Sequence, residues 1–338
     1  MWFIDREEEL KRLKRGVLQG ESFVLIAPRR YGKTTLIKKV IQELREQTIN
    51  FYIDLMPYAD SPQSLANYLL EVFLKDLGIT EGIKRFTKSL SLKAKLLFEE
   101  LGIEIELSRG EKDPLIELGK ILEIPQKIAK KKDKRVLVAY DEFGELHMGT
   151  GASLKVFRSV IQHHAEVSYI FAGSQETLME KIFIDKKGAF FRFGTIMELS
   201  YLNLEEVLRF AQKHISLQPT SISLIETLKG HPYYTSRFLQ KLKMGLKPIN
   251  AFEELIMEER SYVELLVEKA KTVKGAIEVL QAIAIGKNPY NSVGTKPQMV
   301  NKILQRLRFM GLIRKLGRSL YEITDPLLEG YLSGELEF

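Results

Sequence analysis

This sequence predicts a doubly wound α/β fold on a parallel sheet, and three observations carry that expectation. Through the first 200 residues, short apolar runs alternate with stretches of helical periodicity, giving strand candidates at 22–26, 49–55, 135–140, 168–172 and 195–199. The turn after the first run reads Ala27-Pro28-Arg29-Arg30-Tyr31-Gly32-Lys33-Thr34-Thr35 and leads into 36–41, whose apolar residues return at helical spacing. The third run is continuously apolar and ends in Asp141-Glu142, which places two acids at the carboxyl end of a buried strand.

Composition bounds the remaining possibilities. The 338 residues suffice for a large core and for two or three domains, and 45% hydrophobic with 28% charged residues is the balance of a soluble globular protein. A net charge of +7 suits acidic partners such as nucleotides or nucleic acid, and equally a generally basic surface. The chain has no cysteine, which excludes disulfides, thiolate chemistry and Cys-ligated zinc, and the adjacent His163 and His164 cannot share one helical face. No run reaches the roughly 18 apolar residues of a membrane span, and the opening residues lack a signal-peptide layout. The expected location is cytoplasmic.

Each element has a local reason. In residues 3–18, Asp5 can cap a helix whose Leu10, Leu13 and Val17 share one face. That helix either packs on the sheet edge alone or also brings Phe3, Ile4 and Arg6 beside a base. After the second strand, 65–77 and 86–101 read as helices, 102–107 alternates as an exposed strand, and 115–129 is helical again.

The strand, turn and helix around Gly32 form the setting of a phosphate-binding loop. Backbone N–H groups converge there, and the helix N-terminus adds partial positive charge. Residues 28–35, Pro28, Arg29, Arg30, Tyr31, Gly32, Lys33, Thr34 and Thr35, would surround the phosphates. Gly32 permits close backbone approach, Lys33 can reach the β- and γ-phosphates, and the Thr34 hydroxyl can ligate Mg²⁺. The G-x-x-x-x-G-K-[ST] pattern has Ala27 at its first glycine. Asp141 can hold the metal and Glu142 can orient and deprotonate the attacking water, or both acids can cap the next helix.

Two further positions carry alternatives. Ser174, after the strand at 168–172, either senses the γ-phosphate from between the loop strand and the acidic strand or caps the following helix. Arg192, among Phe190, Phe191 and Phe193, either completes a transition-state charge clamp, in cis or toward a neighbouring subunit, or stacks on those rings.

From Asn203 to about Glu268 the pattern is helical, interrupted at Gly230-His231-Pro232. His231 and Pro232 either form only that break or lie against the nucleotide. The last segment predicts a helix at 276–284, a loop-like stretch at 287–294, a helix from Pro297 to Gly311, and a hairpin over 312–323. Helices followed by a hairpin predict a winged helix. The polar helix face with Arg314, Lys315 and Arg318 could track DNA phosphates, or the module could bind a protein.

This order of motifs resembles the archaeal P-loop ATPases of ASCE type related to the STAND and AAA+ groups. The residues carrying the resemblance are Phe3, Arg6, Glu7 and Leu10 (F-x-x-R-E-x-E-L), Pro28 to Thr34 (PRRxGKT), Asp141-Glu142, Gly173-Ser174, Gly230-His231-Pro232, and 298–323. The resemblance implies a P-loop ATPase core at 1–200, a helical lid at 201–268 and a winged-helix domain at 269–338. It also implies binding of ATP and ADP with Mg²⁺, slow hydrolysis, and a switch in which nucleotide state repositions lid and winged helix. The alternative is an ATP-gated DNA-binding initiator or regulator. A small-molecule kinase shares the loop but has less use for Glu142. The expected partners are ATP, DNA through the winged helix, or a protein, with a monomer or a nucleotide-dependent oligomer and no membrane.

Overall fold

A computed structural model describes residues 2–78, 113–148, 151–292, 294 and 296–336. The expected helix at 86–101 and strand at 102–107 lie outside the described residues. The first 200 residues give α1 (Glu7–Gln19), β1 (Phe23–Ile26), α2 (Lys33–Leu44), β2 (Ile49–Asp54) and α3 (Pro62–Asp76). They continue through α4 (Pro114–Leu122), α5 (Ile124–Lys132), β3 (Val136–Asp141), α6 (Glu145–Met148), α7 (Gly151–Ile161) and β4 (Val167–Gly173). Last come α8 (Glu176–Met179), which runs on as a π turn over Glu180–Ile184, and β5 (Thr195–Glu198). The expected single helix at 115–129 is two, α4 and α5, broken at Glu123. Pro125 has no N–H to give the carbonyl four residues back, so the helix cannot run through.

All five strands are parallel, in the order β2-β3-β4-β1-β5. Successive residues of β1 enter opposite cores: Val24 and Ile26 pack toward α3 and α7, Phe23 and Leu25 toward α1 and α2. In β3, Val136, Val138 and Tyr140 likewise face one layer, Leu137 and Ala139 the other. Burial on both faces is why these strands read as unbroken apolar runs. Each fully buried side chain of this size contributes about 1.5–3 kcal/mol, so a charge placed in β1 or β3 would break the sheet. Because β4 separates β1 from β3, the phosphate loop, the acid pair and Ser174 all emerge at one edge.

Helices dominate from Leu204 onward: α9 (Leu204–His214), α10 (Pro219–Thr227), α11 (Pro232–Lys243), α12 (Pro248–Lys271) and α13 (Ala276–Ala284). They are followed by α14 (Pro289–Ser292), α15 (Pro297–Phe309), the antiparallel pair β6 (Ile313–Gly317) and β7 (Leu320–Ile323), and α16 (Pro326–Ser333). The stretch 287–294, expected to be loop, contains the single turn α14. Pro289 opens it and the Asn288 side chain accepts from the Tyr290 N–H at 3.0 Å, a short-range start signal that apolar periodicity does not register. One apolar core joins these helices and the hairpin, from Val207 through Tyr234, Leu255, Val279 and Val300 to Leu328. Among the described residues no helix is long and apolar enough to cross a membrane.

The C-terminal region sits directly against the sheet's functional edge. The Tyr31 hydroxyl donates to the Thr324 carbonyl at 2.9 Å and Arg308 pairs with Glu180 at 3.0 Å, while Lys229, between α10 and α11, pairs with Glu329 at 2.7 Å.

Candidate nucleotide-binding site

The loop after β1 takes two left-handed residues, Arg30 at φ 66° and Gly32 at φ 88°. Ala27 is buried and keeps a negative φ, so its position does not demand glycine. Gly32 does, because it caps α2 in the left-handed region. A Cβ built on it would meet nothing within 4 Å, and that open space beside the α2 N-terminus is the room a phosphate needs. Lys33 opens α2 and is buried, its Nζ donating to the carbonyls of Ala27 at 2.7 Å and Pro28 at 2.9 Å. Burial pushes its ammonium down to about 8 against the pull of Glu142 and Asp141. A polyphosphate would supply the counter-charge that this buried cation lacks.

The acids behave as a pair with divided partners. Thr34 Oγ1 donates to Asp141 Oδ2 at 2.5 Å, and Tyr52 from β2 donates to the same oxygen at 2.9 Å. A hydroxyl and a carboxylate this close are two ligands for Mg²⁺, which prefers one or two protein oxygens completed by phosphate and water. Among the described residues no group of three or more His, Asp or Glu could hold a metal ion. Glu142, at φ 52°, turns toward β4, where its Oε2 accepts from Ser174 Oγ at 2.8 Å and from the Ser174 N–H at 3.2 Å. Ser174 therefore aims the carboxylate.

Two loop side chains, Arg30 and Tyr31, point away from this crevice. Left-handed backbone costs a non-glycine residue on the order of 1 kcal/mol, and at Arg30 it turns the side chain outward into the helices. There its guanidinium lies 3.6 Å from the Tyr262 ring centroid and 4.6 Å from that of Tyr233, and pairs with the buried Glu259 at 2.6 Å. Tyr31 is fully buried, stacked on Tyr201 at 5.2 Å and edge-on to His231 at 5.3 Å. Arg30 and Tyr31 thus tie the loop to α11, α12 and the end of β7 instead of lying open to phosphate.

A narrow cleft on the far side of Gly32 collects the residues expected beside a base. Trp2, Phe3, Ile4, Arg6, Tyr31, Gly32, Thr35, Leu202 and Pro232 line it. At about 30 Å³ it has room for one water molecule, so a purine ring requires it to widen. Arg6 is buried and bonds Glu9 at 2.7 Å and the Ser200 carbonyl, tying the N-terminal segment to the end of β5. His231 is not in the cleft. Its Nδ1 accepts from the Tyr234 N–H at 3.4 Å, capping α11, and burial followed by the Arg30 charge pushes its imidazole down to about 3. It is a neutral helix cap beneath Tyr31.

Arg192 lies at the wrong end of the sheet for its own site. It lines a cavity with Ser22, Val167 and Thr195, at the amino ends of β1, β4 and β5, while the phosphate loop leaves the carboxyl end of β1. The role in cis is thereby overturned. The guanidinium is 5.2 Å from the Phe191 ring. Pro28 and Arg29 line yet another cavity, of about 330 Å³, together with Ser174 and residues of α12.

Sequence reasoning missed Tyr52, Trp2 and Leu202. Tyr52 shows itself only through register, since it pairs with Ala139 of β3, two residues before Asp141 on the same face of the sheet.

Known proteins share this fold. The Walker-type ATPase PABY2304 of Pyrococcus abyssi superposes with a TM-score of 0.70 at 19% identity, covering 98% of this chain and 96% of that one. The ORC2 protein of Aeropyrum pernix, solved in ADPNP–ADP complexes, superposes with a TM-score of 0.60 at 14% identity, covering 98% and 93%. At such identities the likeness shows shared fold. No curated protein sequence matches the chain significantly. Residues 3–238 match the family described as an ATPase domain predominantly from Archaea, and this chain belongs to that family.

Proposed function

We propose that this protein is a slow, Mg²⁺-dependent ATPase whose nucleotide state sets the position of a C-terminal winged helix. The carrying observation is that the phosphate loop's own side chains, Arg30 and Tyr31, are gripped by the helices and by the end of β7. Lys33 binds the β- and γ-phosphates, while Thr34 and Asp141 hold the metal, which would supply Lewis-acid polarisation of the phosphate. Glu142, aimed by Ser174, orients water and takes its proton. Residues 1–200 are the ATPase core, 201–268 the lid and 269–338 the winged helix. Nucleotide in the A. pernix ORC2 structure and that likeness across nearly the whole chain support this division.

Between the two readings of the output, the gated DNA-binding regulator has a specific observation behind it. Along its length α15 exposes Gln298, Asn301, Lys302, Gln305 and Arg306, polar and basic side chains of the kind a recognition helix presents, interspersed with the exposed Met299 and Phe309. Arg308 and Arg314 are otherwise engaged, with Glu180 at 3.0 Å and with Glu322 at 2.8 Å. Lys302, Arg306, Lys315 and Arg318 are then the phosphate-tracking cations, and Arg314 is the hairpin's own brace.

ATP turnover by wild type and Glu142→Gln, with and without duplex DNA, tests this reading. Turnover should rise with duplex and fall by roughly 10²-fold or more in the variant. Undiminished hydrolysis by Glu142→Gln would remove Glu142 as the base. Tight ATP binding with turnover indifferent to DNA would favour a protein partner.

A further inference from the structure

The parallel sheet ends at β5, whose outer side pairs with no other strand among the described residues. The N–H groups of Thr195 and Leu199 donate to the carbonyls of Ser22 and Ile26, so the backbone groups of Ile196 and Glu198 turn away from the sheet. The strand Thr195-Ile196-Met197-Glu198 carries no proline or lysine, the residues that commonly blunt such an edge. Along it runs an open groove of about 670 Å³, walled by Ile196 to Glu198 on one side and by the outer flank of α1, from Glu8 to Arg15, on the other.

The charges of that flank are sorted by end. Arg6 donates to the Ser200 carbonyl just past β5, while Gly16 lies against the ring of Phe23, whose strand partner is Thr195. Helix α1 therefore runs antiparallel to β5, with Glu8 and Glu9 near the strand's carboxyl end and Arg12 and Arg15 near its amino end. Lys14 is taken by Glu43 at 2.5 Å, whereas Arg12 and Arg15 are exposed and form no ion pair among the described residues. Glu8 has only Lys11, 3.8 Å away, with both side chains exposed. At the acidic end, burial and after it Glu9 and Glu206 hold the Asp5 carboxyl above the usual carboxylate range.

A patch acidic at one end and basic at the other is complementary to itself after a half-turn. We propose that this edge pairs with a second copy of the chain, the two β5 strands lying antiparallel about a two-fold axis at Met197. Ile196 of each copy then faces Glu198 of the other and exchanges both backbone hydrogen bonds with it, joining the two sheets into one. The acidic start of each α1 comes beside the basic turns of the other. Parallel addition would instead set acid against acid.

The test is sedimentation velocity of the full chain over a range of concentrations, for wild type, Glu8→Arg, Arg12→Glu/Arg15→Glu and Ile196→Pro. Wild type should sediment as a dimer. Each charge variant sets like charges together at both symmetry-related contacts and should weaken association by about tenfold or more. Mixing the two charge variants should restore it as a heterodimer, because each then carries the charge that the other needs. Ile196→Pro removes one outward N–H, leaves the β1 ladder intact and should also give monomer; its thermal unfolding is followed alongside, and the exposed charge variants decide the matter if it does not fold. A monomeric wild type would overturn the pairing and leave the groove to an extended segment of another protein. Charge variants that dimerise as tightly as wild type, or a mixture no tighter than its components, would overturn it equally.

Discussion

The two halves of the phosphate loop do different things with the same backbone. Gly32, Lys33 and Thr34 face the crevice, where open space, a desolvated ammonium and a hydroxyl on Asp141 await a polyphosphate. Arg30 and Tyr31, next to them in sequence, face outward, one caged by Tyr233, Tyr262 and Glu259, the other bonded to the Thr324 carbonyl. Anything that moves the inner half therefore pulls on the outer half, and with it on α11, α12 and the C-terminal hairpin. The left-handed turn at Arg30 divides the two.

The inner half should be broken most severely by Lys33→Ala. Losing a buried, charge-assisted contact costs about 2–3 kcal/mol of ATP binding, or roughly 30- to 150-fold in affinity. Isothermal titration reads this directly, and an unchanged affinity would detach the loop from nucleotide.

A smaller effect sharpens the same half through pH. Free Lys33 titrates at about 8, and bound phosphate favours its charged form. Affinity for ATP should thus be flat below that pH and fall by up to about tenfold per unit above it. The stability of the free protein should move the other way. Between about 8 and 10.5 the unfolded chain holds a proton on Lys33 that the folded chain has lost, so stability rises across that window. Affinity still flat at pH 9.5 would mean that the buried ammonium does not meet the ligand.

What the sequence made legible follows the range of the interactions involved. Gly32, Lys33 and Thr34, the acids at 141–142 and Ser174 are each fixed by a short strand-to-turn pattern, and parallel pairing gathers them at one edge. Arg30 and Tyr31 were grouped with the phosphate ligands because they lie between them in sequence. Their directions depend on the φ of Arg30 and on Glu259 and Thr324, more than 200 residues away. The position of Arg192 was legible in principle, because in a parallel sheet the loop before β5 emerges at the amino end, opposite the phosphate loop. The one-turn helix Pro289–Ser292 is too short to show a period at all. Tyr52 belongs to no local pattern, and only register brings it to the site.

The claim that the outer half transmits nucleotide state is tested most directly by amide hydrogen exchange across 259–271 and 313–325. The comparison is with and without Mg–ADPNP, in wild type and in Arg30→Ala. Glu259→Gln is made alongside, so that no unpaired buried carboxylate confuses the result. The account predicts that wild type changes its protection in both segments on binding, and that the arginine variant still binds ADPNP but loses the change. The same nucleotide-dependent change in the Arg30 variant would contradict it.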